Sequence, residues 1–341
     1  MKTVVFSHIP SGGGPKTFHN YLKAYLPSRG WNVQNKRNID GADLVFVNLG
    51  TKDLLFLLKA KLKGIPIVQR LDGVNWEHHE KGTAIKQKFI QEVRNTLMQL
   101  IRIFFATHVI YQSKYIEESW SKKYKSKPSK YSIIYNGTDL ELFSKSRDFK
   151  QANFDKKSIK LICVEGTIQD THYVASLMEF LSEELIEKGF LSKISLIDKI
   201  SKELETQLVK YCGIEIKGEA SRGDLLSNLH DADLFLCLER NPPCPNSVIE
   251  ALACGLPVVG YHTGALLELV GEGAGRVVDF GGDPHLFEKP NFKNISNAIK
   301  DISKSEEVYY KFSSAARERA EKYFGIYSKL DQYISVFDGL S

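Results

Sequence analysis

One segment of this sequence carries chemistry by residue type and spacing together. After an apolar run at 234–238, residues 239–250 read Glu-Arg-Asn-Pro-Pro-Cys-Pro-Asn-Ser-Val-Ile-Glu, and 251–259 read Ala-Leu-Ala-Cys-Gly-Leu-Pro-Val-Val. That is a strand, a proline-rich turn, a short helix, a Gly-Leu-Pro turn and a second strand. Pro245 suits a first helical turn, Asn246 and Ser247 suit a helix start, and Gly255 ends the helix. A helix punctuated in this way offers free backbone N–H groups to an anion. Each such contact contributes about 0.3–1 kcal/mol, rising to about 2 kcal/mol when partly buried. Glu250 lies one turn inside that helix. Its carboxylate can accept two hydrogen bonds from a vicinal diol such as a ribose. Equally, it can be an early-turn glutamate that only favours the helix dipole.

A second phosphate-compatible feature is the loop Ser11-Gly12-Gly13-Gly14, directly after the first apolar strand and before a helix from about Lys16. Glycines allow close backbone approach to a ligand, and the helix start supplies N–H groups. The same residues also fit a tight strand–helix turn. The loop is not G-x-G-x-x-G, and no acidic residue follows about twenty positions on at a second strand end, which argues against a dinucleotide fold.

Elements that can position these residues alternate along the whole chain. Short β-branched runs occur at 4–6, 44–47, 65–68, 108–111 and 133–135, and again at 161–164, 194–197, 214–216, 234–236, 257–259 and 277–278. Helix-length patterns lie between them, at 84–106, 173–188, 199–211, 222–230 and 305–323. Strand–helix alternation predicts parallel sheets covered by helices. The pattern runs through twice, with a polar, aperiodic break near 144–151. The expected architecture is therefore α/β, with two Rossmann-like doubly wound domains, 1–148 and 149–323, facing across a cleft. Ligands of such sheets bind at the carboxyl ends of the strands. The tail at 324–341 has helical apolar spacing after Gly325 and is expected to cross back to the first domain.

Composition narrows the function classes. With 43% hydrophobic residues, 341 residues suffice for two buried cores. The net charge of +5 suits phosphate handling, but no clustered basic face with stacking aromatics points to nucleic acid. None of Cys163, Cys212, Cys237, Cys244 and Cys254 forms a CxxC pair, so they read as small buried hydrophobes and not as a metal or disulfide framework. The apolar run near Met1 is too short for a signal peptide, and no stretch is long enough to span a bilayer. The expected location is the cytoplasm, with peripheral membrane contact as an addition. Residues 114–130 hold lysines among Tyr115, Trp120 and Tyr124; they read as a solvated helix face and loop, or alternatively as a membrane-surface patch. The helix at 84–106 reads as a core helix in preference to an interfacial one.

The 239–259 segment resembles the donor-binding motif of the family 4 retaining glycosyltransferases, in the version with a Pro-Cys-x-Asn turn. Other segments resemble the family in order and spacing. They are Gly12-Gly13-Gly14, Gln69-Arg70-Leu71-Asp72-Gly73, Tyr111-Gln112-Ser113, Tyr135-Asn136-Gly137-Thr138-Asp139, and Thr263-Gly264-Ala265 with Glu268-Leu269-Val270. The resemblance implies a GT-B fold and a nucleotide-diphosphate sugar as co-substrate. It implies transfer with retention to a glycan, lipid-linked or small-molecule acceptor, with no metal and no other cofactor. Carried over residue by residue, Glu250 would hold the ribose. The N–H groups of Asn246, Ser247 and Val248, with Gly12, Gly13 and Gly14, would hold the diphosphate. Thr167, Gly218, Glu219 and Arg222 would border the donor, while Asp72 and Glu239 would stand nearest the chemistry.

Two departures from the family pattern matter. The arginine and lysine usual after the first strand of the second domain are absent from Val164-Glu165-Gly166-Thr167-Ile168-Gln169-Asp170. Eight positions before Glu250 stands Pro242, where the family's first glutamate would be; Glu239 is three residues earlier. Lys16 and Arg240 are candidate replacement cations. The competing reading is a non-catalytic GT-B protein that binds sugar or nucleotide as a partner subunit.

Overall fold

The computed structural model describes residues 1–34, 38–80, 83–144, 159–165 and 171–341. The chain divides into two compact units, Met1–Asn136 with Ile326–Ser341, and Gly137–Gly325. The linker read at 144–151 lies, beyond Ser144, outside the described residues, and so does Thr167.

The first unit is built on six parallel strands: β1 (Lys2–Phe6), β2 (Trp31–Gln34), β3 (Leu44–Asn48), β4 (Ile67–Leu71), β5 (His108–Tyr111) and β6 (Tyr131–Ile133). Their order is β2-β1-β3-β4-β5-β6. Alternation along the strands sorts side chains to two faces. Val4, Phe6, Leu44 and Phe46 pack with Phe18 and Leu22 of α1 (Gly13–Tyr25) and with Leu330, Tyr333 and Phe337 of α12 (Ile326–Asp338). Val5, Val45 and Val47 pack on the other face with Phe56, Leu57 and Ala60 of α2 (Leu54–Leu62). The carboxyl-terminal tail thus completes the core of the first unit.

Two sequence expectations change here. Strand β2 was not anticipated: in Trp31-Asn32-Val33-Gln34 polar residues interrupt the apolar ones, so no apolar run marks it. Helix α3 (Ile85–Leu100), which a π-helical turn continues over Ile101–Phe105, is not a core helix along most of its length. Asn95 is its one described buried residue before the turn, while Ile85, Phe89, Ile90, Val93, Leu100 and Phe104 are exposed. By contrast, Trp120 in α4 (Lys114–Tyr124) is fully buried, and its indole N–H donates to the Asp72 carbonyl at 2.8 Å. Tyr124 stacks on it, Lys123 is paired with Glu92, and Lys127 with Glu117. The aromatics of the lysine-rich stretch therefore serve the core and not a surface patch.

The second unit carries six parallel strands: β7 (Ile159–Val164), β8 (Leu191–Ile197), β9 (Ile214–Ile216), β10 (Leu234–Leu236), β11 (Val258–Tyr261) and β12 (Gly275–Val278), in the order β12-β11-β10-β7-β8-β9. Order reverses between β7 and β10, which pair Leu234 with Leu161 and Phe235 with Ile162. That reversal point is where an open parallel sheet leaves a crevice beyond its strand ends. Helices α5 (Thr171–Leu181), α6 (Lys202–Leu208), α7 (Arg222–Asp231), α8 (Asn246–Ala253), α9 (Leu266–Val270), α10 (Phe292–Ile302) and α11 (Glu306–Tyr323) complete the unit. Residues 137–144 belong to it: Thr138 bridges Gly325, and Arg317 of α11 donates to the carbonyls of Leu140 and Phe143. No helix among the described residues is long and apolar enough to cross a membrane.

Candidate active site

Helix α8 rises directly from the turn that follows β10. Its N-cap is Pro245, which has no side-chain hydrogen-bond acceptor to give, and no acidic residue sits in its first turn. Ser113, Ser201, Ser221, Asn291 and Ser305 each cap their helices with a side-chain oxygen. The start of α8 lacks such a cap, as do those of α3, α9 and α1, where Gly12 is the N-cap. Of these, α8 and α1 begin where the sequence marks a place for an anion. The opposite end of α8 is satisfied: Arg317 Nη1 donates to the Ala253 carbonyl at 2.6 Å, placing a cation at the negative end of the dipole. Only the positive end of α8 keeps its charge uncompensated by a cap.

Glu250 is half-buried one turn along α8. Desolvation pushes its carboxyl up to about 7, and the Arg222 guanidinium pulls in the opposite direction. Arg222 is the first residue of α7 and stacks over the Phe143 ring at 5.1 Å. The structure thus brings together three features singled out in the sequence: the α8 start, Glu250 and Arg222. Gly218, just past the end of β9, has φ of +69°, a conformation that favours glycine, and Glu219 beside it is exposed.

The turn before α8 places Pro242 where the family's first glutamate would stand. The backbone of 241–242 packs against the loop after β11: Ala265 N–H donates to the Pro242 carbonyl at 2.6 Å. Gly264 has φ of +54°, and a Cβ there would meet Pro242 N at 2.4 Å. Position 242 is therefore committed to a backbone contact. Residues to which the sequence assigned no role stand here. Asn241 is buried with its side-chain nitrogen unpartnered, and buried Thr263 has an unpartnered hydroxyl. Orphan polar atoms are costly to bury, so they mark a place for a ligand or water. The signals in the sequence were the place of Asn241 in the strand–turn–helix segment and of Thr263 in the Thr263-Gly264-Ala265 segment.

Arg240 does not stand ready as a replacement cation. Its guanidinium lies over the rings of Tyr173, Phe280 and Phe287 at 4.7, 5.6 and 5.8 Å, and Nη1 donates to the Glu288 carbonyl at 2.8 Å. Glu239 is half-buried at the start of the same turn. Glu165, immediately past β7, accepts the Leu238 N–H at 3.2 Å and so ties the ends of β7 and β10 together. Burial, reinforced by that carboxylate, pushes the thiols of Cys163 and Cys237 upward, so neither is a nucleophile. Of the five cysteines only Cys212 is exposed, against the expectation that all are buried.

In the first unit, Gly13 takes φ of +63° as the first residue of α1, and Lys16 is exposed in the same turn. Asn48 at the end of β3 donates to the Pro15 carbonyl at 3.2 Å, fixing the start of α1 beside the reversal of strand order between β1 and β3. Asp72 follows β4. Burial raises its carboxyl, opposed by the Gly73 N–H at 2.7 Å and by Arg70. Among the described residues, His78, His79 and Glu92 bring possible metal ligands within 4.8 Å of one another. Lys123 Nζ donates to both Glu92 oxygens, at 2.7 and 2.9 Å, so an ion pair already occupies that carboxylate.

Comparison with known proteins identifies the family and the fold. Residues 200–319 match the family model of glycosyl transferases group 1, and residues 4–142 match that of Glycosyltransferase Family 4. The chain is a glycosyltransferase of group 1. It is 20% identical over 337 residues to spore coat protein SA of Bacillus subtilis (strain 168), covering 90% of this chain and 87% of that protein. Sucrose-phosphate synthase from Thermosynechococcus elongatus superposes with a TM-score of 0.74 at 15% identity, over 100% of this chain and 99% of that one. Alr3699/HepE of Anabaena, solved in complex with UDP-glucose, superposes with a TM-score of 0.74 at 15% identity, over 99% of this chain and 100% of that one. At such identities the likeness establishes the fold, which is GT-B.

Proposed function

We propose that this protein transfers a sugar from a nucleoside-diphosphate donor to a hydroxyl acceptor, a glycan, lipid-linked saccharide or small molecule, with retention at the anomeric carbon. The observation that carries the reading is the start of α8: uncapped, positive and free of acidic side chains, with Glu250 one turn inside and Arg222 beside it. The N–H groups of Asn246, Ser247 and Val248 hold the diphosphate, and Glu250 accepts from the ribose hydroxyls. The unpartnered Asn241 amide supplies a further donor. Asp72, Gly12, Gly13 and Gly14 keep the roles that the family resemblance gives them; Glu239, Thr167 and Lys16 stand as candidates where the chain departs from the family pattern.

In this scheme the bond from the anomeric carbon to the diphosphate oxygen breaks as the acceptor oxygen forms its own. The acceptor's proton passes to a phosphate oxygen of the leaving group. Preorganised N–H dipoles stabilise the charge that develops on that leaving group, so no metal is required by the scheme. Arg222 is the cation that takes part, because its charge acts on Glu250, whereas Arg240 donates to the Glu288 carbonyl.

A panel of nucleoside-diphosphate sugars tests the reading, starting with UDP-glucose because Alr3699/HepE is solved with it. One donor is expected to raise the melting temperature and, with acceptor, to release nucleoside diphosphate. NMR should then show the donor's anomeric configuration in the product. An inverted product contradicts retention. Donor binding without turnover across an acceptor panel contradicts the catalytic role and returns the non-catalytic reading.

A further inference from the structure

The first unit carries an apolar surface that the donor site does not use. Phe89, Val93, Leu100 and Phe104 follow one another at helical spacing along α3 and its π-helical turn, with Phe89 68% and Phe104 59% exposed. Helix α2 adds Leu58 and Leu62, the latter 80% exposed. The two helices are neighbours at this point, since Lys61 of α2 donates to the Phe104 carbonyl. These side chains therefore form a contiguous patch and not the scattered exposed apolar residues of an ordinary surface.

The charge on the same helices selects the occupant. Lys59, Lys61, Lys86 and Arg94 are all exposed. Three acidic residues nearby are committed elsewhere. Asp53 caps α2 by accepting the Phe56 N–H at 3.1 Å, Glu92 accepts from Lys123 at 2.7 Å, and Asp40, near Lys59, is paired with Lys63. A second copy of the chain on this face would bring like charges together around the apolar contact. An anionic lipid surface pairs with those cations and accepts the aromatic and leucine side chains.

We propose that α2 and α3 dock the first unit onto an anionic bilayer surface, with Phe89 and Phe104 entering the interface and the lysines meeting the headgroups. The docking does not rest on the donor reading, because binding to vesicles requires no nucleotide. The test is flotation of the full chain with vesicles of phosphatidylglycerol mixed with phosphatidylcholine, against phosphatidylcholine alone. The wild type should float with the anionic vesicles only, and raised salt should release it. Phe89→Ser and Phe104→Ser should each weaken binding about tenfold, the scale of withdrawing one buried phenylalanine. Lys59→Glu with Lys86→Glu should weaken it comparably, while all variants keep the wild-type circular dichroism. Failure of the folded wild type to float, equal flotation with neutral vesicles, or unchanged flotation of both serine variants overturns the proposal. So does a dimer in sedimentation that the serine variants dissolve while vesicles are ignored.

Discussion

At the scale of single residues, Glu250 balances stability against binding. Its carboxyl titrates at about 7 in the folded chain, against an ordinary value of 4.5. Between those pH values the folded state holds a proton that the unfolded state has lost. The desolvation penalty is therefore absent below pH 4.5 and complete above about 7. Stability falls as pH rises through that window, by at most about 3 kcal/mol. Glu250→Gln should flatten this dependence and leave the protein more stable at pH 8 by about 1–2 kcal/mol, read by urea unfolding. The same substitution should weaken donor binding ten- to a hundredfold, roughly the loss of a charge-assisted hydrogen bond. A variant with an unchanged pH slope contradicts the buried-carboxylate account. Glu250 was legible from its place in the helix, but its desolvation was not, because burial depends on side chains remote in sequence. Arg240 shows the same limit: it was named for its charge, yet Tyr173, Phe280 and Phe287 decide what that charge does.

At the scale of elements, α8 is held at its carboxyl-terminal end. Arg317 reaches from α11 to the carbonyls of Ala253, Phe143 and Leu140 at 2.6, 2.8 and 3.2 Å. It thereby compensates the negative end of α8 and pins residues 137–144 to the second unit. Arg317→Met keeps much of the apolar stem and removes the donors. We expect it to lower stability by about 2–4 kcal/mol in chemical denaturation, because three carbonyls lose their shared partner. A loss below about 0.5 kcal/mol would show those carbonyls to be satisfied by water. Helices and buried strands were legible wherever their period was long or their apolar run continuous, as in Leu44–Asn48, buried throughout. Strand β2 and the outward face of α3 were not. The first has Asn32 and Gln34 between and after its apolar residues, so it lacks the continuous run that marks the others. The second has an apolar stripe whose pattern is the same whether it faces a core or solvent.

At the scale of the whole molecule, the doubled strand–helix pattern in the sequence folds as two parallel sheets, each with one reversal of strand order. The tail returns to the first unit because Leu330, Tyr333 and Phe337 fill a sheet face that α1 alone leaves open. Arg70 reinforces that return. Fully buried on β4, it bonds Tyr333 of the tail, Asn48 and Asn136 at 3.1, 3.0 and 2.8 Å and stacks on Phe18 at 4.1 Å. Helical spacing after Gly325 signalled a helix, but no local pattern states which sheet it covers. The function rests on the open start of α8, and amide hydrogen exchange reads that start directly. With a bound nucleoside diphosphate, the amides of Asn246, Ser247 and Val248 should exchange more slowly than in the unliganded chain. Binding that leaves those amides unprotected would contradict the account.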